Sequence, residues 1–223
     1  MTNLSRSSRN TLNSRTADRY TGDTLFDKIA RAVCEAECLP RKELYEAWES
    51  AKRIRRHMRG GPIVELAAGH GLLAAILILL DDSSETATCI DIKRPPSQER
   101  VLKVLENHWP RLKDRVLFKE DRLENAVVPA EALLVSVHAC GTLTDQVLDL
   151  AVRAQCRVAV LPCCHDLREC DTGSLAGWMD GPLAIDATRV ARLREVGFRV
   201  QTTRIPEEIT PKNRLLMAWP GDS

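Results

Sequence analysis

Four residues in the first half of the chain have types and spacings suited to holding a nucleotide-like ligand: Glu65, Gly69, Gly71 and Asp91. Residues 63–71 read Ile-Val-Glu-Leu-Ala-Ala-Gly-His-Gly, a buried β-strand that carries an acid and breaks into a glycine turn. Glycine at 69 and 71 permits positive φ and close backbone approach. The run Leu72–Leu80 is apolar on every face, as expected of a helix packed on a sheet. Such a strand–turn–helix directs backbone N–H groups and a helix N-terminus at its ligand.

Two cofactors compete for this turn. Gly69-x-Gly71-x-x-Ala74 fits a dinucleotide fingerprint, with Asp91 about twenty residues on as the ribose acid. The same stretch fits the first motif of class I S-adenosylmethionine (SAM) methyltransferases, an acid followed by a glycine-rich turn, with Ala67 and Ala68 as small residues where glycine or cysteine is common. A carboxylate at Glu65 repels a pyrophosphate and attracts a sulfonium and an ammonium. Charge therefore favours SAM, and an NAD-dependent oxidoreductase is the remote alternative.

Two further clusters carry chemistry. His138-Ala139-Cys140-Gly141 and Pro162-Cys163-Cys164-His165-Asp166 each follow an apolar run that reads as a strand. Ligands bind beyond the carboxyl ends of strands in open α/β sheets, so His165 and His138 are candidate general bases, with His138 also a cofactor-lining candidate. Cys163 is a candidate nucleophile. A metal site from Cys34, Cys38, Cys163, Cys164 and His165 is considered and set aside, because adjacent cysteines ligate one ion poorly; no metal is expected.

The elements that position these residues alternate. Apolar spacing marks helices around Leu25–Val33 and Leu44–Met58, separated by Pro40, and Gly60-Gly61-Pro62 leads into the first strand. Strands are expected at 63–67, 86–92, 115–118, 132–137 and 157–161, with helices at 72–80, 97–109, 144–154 and 184–196 between or after them. Two last strands, 198–204 and 214–219, have no helix between them. The expected fold is α/β: a Rossmann-like, doubly wound, mostly parallel sheet with an antiparallel C-terminal hairpin, preceded by N-terminal helices. A dinucleotide domain would more often continue βα, so this ending also favours SAM.

Length and charge bound the rest. The 223 residues suit one α/β domain plus an appendage. Three parts are expected: a flexible basic arm at 1–20, a helical segment at 21–60 and the catalytic domain at 61–223. Residues 1–60 hold 13 Lys/Arg against 8 Asp/Glu, and the remainder 19 against 23. A basic appendage suits a polyanion, and Lys52, Arg53, Arg55, Arg56 and Arg59 are its densest cluster; dipole capping at a helix C-terminus accounts for them equally. No secretory or membrane-spanning stretch stands out, and eight scattered cysteines suit free thiols in a reducing cytoplasm.

Taken together, these residues resemble a branch of the class I methyltransferases with a histidine-cysteine-glycine turn after strand four and a Cys-Cys-His turn after strand five. The resemblance extends over about residues 40–220. It is to the methyltransferase domain shared by glutathione-S-transferase-C-terminal-domain-containing and methyltransferase-like proteins, and more distantly to tRNA 2′-O-methyltransferases. The matching residues are His138, Cys140, Gly141, Thr144, Asp145, Cys163, Cys164 and His165; Asp166 replaces a second histidine of the tRNA enzymes. It implies SAM as cofactor and adds Asp121, after the third strand, as the acid that meets the adenine amino group. RNA, bound through the basic N-terminal helices, is the favoured acceptor. Protein or small-molecule acceptors, and a SAM-binding module without catalysis, remain alternatives.

Overall fold

Seven strands form one sheet in the order β3-β2-β1-β4-β5-β7-β6 in the computed structural model, which describes residues 5–221. The strands are β1 Ile63–Leu66, β2 Ala87–Asp91, β3 Val116–Glu120, β4 Leu133–Ser136, β5 Arg157–Val160, β6 Phe198–Arg204 and β7 Arg214–Pro220. The first five are parallel, and β7 inserts antiparallel between β5 and β6, as the missing last helix predicts. The helices are α1 Ser14–Ala17, α2 Leu25–Ala36, α3 Arg41–His57, α4 Leu72–Leu80, α5 Pro96–His108, α6 Thr142–Ala154 and α7 Gly181–Glu195.

Alternation along the strands assigns the two faces. Ile63, Leu133 and Val135 point into a core shared with α2–α5, while Val64, Leu66 and Leu134 point into one shared with α6 and α7. Helix α4 is buried along all but its last residue, which explains why its sequence shows no polar face. Each such leucine contributes about 1.5–3 kcal/mol by leaving water.

The N-terminal residues depart from the expected arm, whose first four residues lie outside those described. Leu12 is fully buried, and Thr11 bridges Pro40. The carbonyls of Asn10 and Ser8 accept the Arg41 and Lys42 amides at 3.1 and 3.0 Å. These are first-turn amides of α3, which have no partner within the helix. Helix α3 starts at a proline with no side-chain cap, so the preceding segment satisfies its backbone. Helices α2 and α3 share one apolar core with α4 and β1.

Candidate active site

The sheet winds outward from β1 in one direction and from β4 in the other, and the crevice at this switch point lies beyond their carboxyl ends. The glycine turn occupies it. Ala67 adopts φ 49° and Gly71 φ 67°, both left-handed. A Cβ on Gly71 would lie 2.9 Å from the Cys89 sulfur, so both conformation and space demand glycine there. Gly69 also has positive φ, but nothing lies within 4 Å of where its Cβ would be, so its backbone is open to a ligand.

Glu65 is 1% exposed and lies beneath this turn. Its Oε2 accepts the Ala74 amide at 2.9 Å, capping the first turn of α4. Burial pushes its pKa up to about 8, which the Ala74 hydrogen bond opposes without reversing. The carboxyl is therefore mostly protonated at neutral pH in the free protein. That weakens the charge argument that set Glu65 against pyrophosphate; its direct role here is to hold the turn on the helix.

Asp91 does two jobs at the end of β2. Its Oδ2 accepts the Gly69 amide at 2.9 Å and its Oδ1 the Ile92 amide at 2.8 Å, and it lines a cavity of about 270 Å³. Ala67, Asp121, Ile92, Leu123 and Leu143 line the same cavity. Asp121 is held by Lys119 at 2.6 Å and Asn125 at 2.9 Å, and these bonds lower its pKa to about 2. Ile92 is 76% exposed, an apolar side chain left in water at the rim. Apolar walls with Asp91 and Asp121 among their polar residues, beside Arg122 and Glu124, suit an adenosine: a flat base between aliphatic side chains, ribose hydroxyls at Asp91 and the amino group at Asp121. The residues present therefore fit the cofactor.

A second cavity, of about 390 Å³, is lined by Arg9, Lys42, Glu46, His138, Cys163 and Lys212 among others. Glu43 and His138 border both this cavity and a small recess that reaches Glu65 and His70. Burial lowers the His138 pKa, opposed by the fields of Glu43 and Glu46, so the imidazole is neutral. His70, within the glycine turn, bonds Ser97 Oγ at 2.7 Å and lies 3.3 Å from Glu43 Oε2. Burial would raise Glu43, but the His70 hydrogen bond and the two histidines outweigh it and hold its pKa low. Helix α3 is thereby tied to the cofactor turn.

His165 does not join this cavity. Its side chain is 2% exposed, and its Nε2–H donates to Asp186 Oδ1 at 2.9 Å. Asp186 also accepts from Arg214 at 2.6 Å and Arg189 at 3.2 Å. His165 therefore anchors the loop after β5 to α7 and β7, with its Nε2 engaged by Asp186 and not lining the cavity that His138 borders. Cys163 reaches the cavity, but burial pushes its thiol pKa far up, so it is not a ready thiolate nucleophile. Its Sγ lies 2.9 Å from Cys140 Sγ and 3.8 Å from Cys164 Sγ. Cys34 and Cys38 belong elsewhere, bonded to Thr16 and the Ser97 carbonyl.

The basic cluster of α3 divides. Arg55 and Arg59 lie at the end of α3 that leads into the start of β1, away from the cofactor turn, whereas Arg53 reaches the last residue of β6, a strand that runs in the same direction as β1. Arg55 is buried against the Leu77 carbonyl and Ser84, and Arg53 bonds Glu49 and the Arg204 carbonyl.

Fold and site together suit an α/β protein that holds a nucleoside cofactor at its switch point. A family profile described as a methyltransferase domain matches residues 42–170, more than half the chain, and the chain belongs to that family. It is thus a class I SAM-dependent methyltransferase, with SAM as its cofactor. Among solved structures it is similar to an O-methyltransferase family protein from Burkholderia thailandensis, at 16% identity and TM-score 0.51, over 97% of this chain and 66% of that one. It is also similar to the methyltransferase domain of bacterial CtHen1-C, at 17% identity and TM-score 0.54, over 81% of this chain and all of that one. A third is the mitomycin 7-O-methyltransferase MmcR, at 15% identity and TM-score 0.54, over 92% of this chain and 60% of that one. The chain spans less than two thirds of the first and third of these, and at such identities the likeness is one of fold. No curated protein matches the chain.

Proposed function

We propose that the chain transfers a methyl group from SAM to a nucleophile presented in the 390 Å³ cavity, with a nucleotide of RNA as the favoured acceptor. One observation carries the reading: the adenosine-type cavity reaches the glycine turn at Ala67, and the His138 cavity shares Glu43 and His138 with the recess that reaches Ala68 and His70 of the same turn. SAM supplies an activated methyl, so the protein must align the acceptor and take its proton. His138 borders the cavity and is neutral, so it accepts that proton, and Glu43 and Glu46 stabilise the imidazolium that results. Asp91 and Asp121 hold the adenosine half, and Ala67 and Gly69 let the backbone approach it.

Arg9, Lys42 and Lys212 on the cavity wall support a phosphate-bearing acceptor. None of the α3 basic cluster lines this cavity, so the support for RNA here comes from Arg9, Lys42 and Lys212 instead. The narrower kinship to the tRNA-enzyme branch belongs to this proposal too. A small-molecule acceptor is the second reading, favoured by the cavity's size and by Glu43 and Glu46 among its walls. Eight free cysteines support a reducing compartment, the cytoplasm, and no helix among the described residues is long and apolar enough to cross a membrane.

The test is transfer from labelled SAM into a lysate of cells lacking the protein, split by RNase and protease. RNase-sensitive label that is lost with Asp91→Ala supports the RNA reading. Protease-sensitive label moves it to protein, and label in small molecules to the second reading. SAM binding without label in any fraction would leave a binding module.

A further inference from the structure

Three thiols meet where the loops after β4 and β5 face each other. The Sγ atoms of Cys140, Cys163 and Cys164 all lie within 4.8 Å of one another, and each thiol is at least partly exposed to solvent. We propose that they form a binding site for a thiophilic divalent cation of the zinc type, held by three sulfurs with its fourth position open.

The geometry answers the objection that adjacent cysteines ligate poorly. In a strand, successive side chains point to opposite faces. Cys163 and Cys164 lie beyond the end of β5, and the irregular backbone there brings their sulfurs to 3.8 Å. Around a tetrahedral zinc with Zn–S of about 2.3 Å, sulfurs are about 3.8 Å apart. Cys140 comes from the loop after β4, where the Gly141 amide donates to the Cys164 carbonyl at 3.2 Å and fixes one loop on the other. Its sulfur, 2.9 Å from Cys163, need only withdraw by about 1 Å to reach the same spacing. Cys140 is exposed, so that movement meets little resistance.

Charge agrees. Three thiolates around a dication carry a net single negative charge, and Lys212 lines the same cavity as Cys163 and Cys164, where its ammonium offsets that charge. Binding releases the thiol protons, so no oxidant or reductant takes part. Three protein ligands plus an open position is the pattern of zinc sites that bind a further molecule. Cys163 and Cys164 line the acceptor cavity, so the ion would sit in its wall. Placing a water or a soft acceptor atom on that position rests on the methyltransferase reading; cation binding does not.

The test uses the full chain, reduced and stripped with a chelator, then titrated with Co²⁺ and back-titrated with Zn²⁺. The expected result is one Co²⁺ per chain, intense sulfur-to-cobalt charge-transfer absorption, and displacement by Zn²⁺. Cys140→Ser, Cys163→Ser and Cys164→Ser should each weaken binding by roughly a hundredfold or more. Cys38→Ser should leave it unchanged. Circular dichroism and SAM-binding calorimetry on each variant establish that it is folded and separate this test from that of methyl transfer. Absence of saturable Co²⁺ binding would overturn the proposal, as would binding that survives all three serine variants. So would quantitative formation of a Cys140–Cys163 disulfide in the presence of Zn²⁺.

Discussion

The carboxyl of Glu65 sits 2.9 Å from the Ala74 amide in a residue only 1% exposed, so its ionisation is coupled to the stability of the cofactor turn. Its pKa is about 8 in the folded chain, against about 4.3 when exposed. The folded state therefore binds this proton more tightly than the unfolded state does. Stability from this group is complete below about pH 4 and declines as pH rises towards about 8, where the loss is complete. Glu65→Gln removes the titration, so its unfolding free energy should vary less steeply between pH 5 and 8. Denaturant melts of both proteins across that range check this; parallel curves would refute it.

Ala67 holds a left-handed φ of 49° where a glycine would be unstrained. An alanine in this region costs about 1–2 kcal/mol, and glycine gives back about 0.5–1 kcal/mol through the unfolded chain. Ala67→Gly is expected to stabilise by about 0.5–1 kcal/mol, read as a higher urea midpoint at constant m. A lower midpoint would mean that the Cβ packs usefully at the cavity wall.

His138 and His165 should separate cleanly under mutation. His138→Ala is expected to lower kcat by about 10²–10⁴, with KM for SAM and the melting temperature little changed. His165→Ala removes the donor to the buried Asp186 and should cost about 1–3 kcal/mol of stability. Activity of the His165 variant, measured well below its melting temperature, should stay closer to the parent than that of the His138 variant. The reverse ranking would restore His165 as the base.

The two basic regions make opposite predictions for RNA. Lys212→Ala at the cavity should weaken RNA binding and reduce the slope of log K against log salt by about 0.7. Arg56→Ala, outside the residues that line that cavity, should change neither. Filter binding over a salt series decides between them.

The fold was legible because its signals are local. β-branched runs, the glycine turn and the unbroken apolar α4 each advertise one element, and the paired last strands declare the antiparallel insertion. Asp91 was legible for the same reason, as an acid at a strand end. The site's other half was not. Glu43 meets His70 only because α3 packs on α4, and nothing in the spacing of Leu44, Trp48 and Ala51 marks the polar face. His165 stands beyond a strand end as a base would, but Asp186 and Arg214 come from α7 and β7, and only tertiary structure reveals that they claim it. The basic run of α3 showed its charge but not its partners, the Leu77 carbonyl for Arg55 and the Arg204 carbonyl for Arg53.

The pairing of residues 8–12 with residues 39–42 has a consequence for synthesis on the ribosome. The cofactor half draws on residues 65–143, whereas the acceptor wall joins Arg9 to Lys212, and Arg6 reaches Glu208 at 2.9 Å. A nascent chain that has released β1–β4 and the start of α6 already carries every adenosine-facing residue, while the opposing wall still awaits nearly the last strand. Every adenosine-facing residue thus leaves the ribosome before Lys212 does, so the acceptor wall is completed in synthesis after the residues of the donor side.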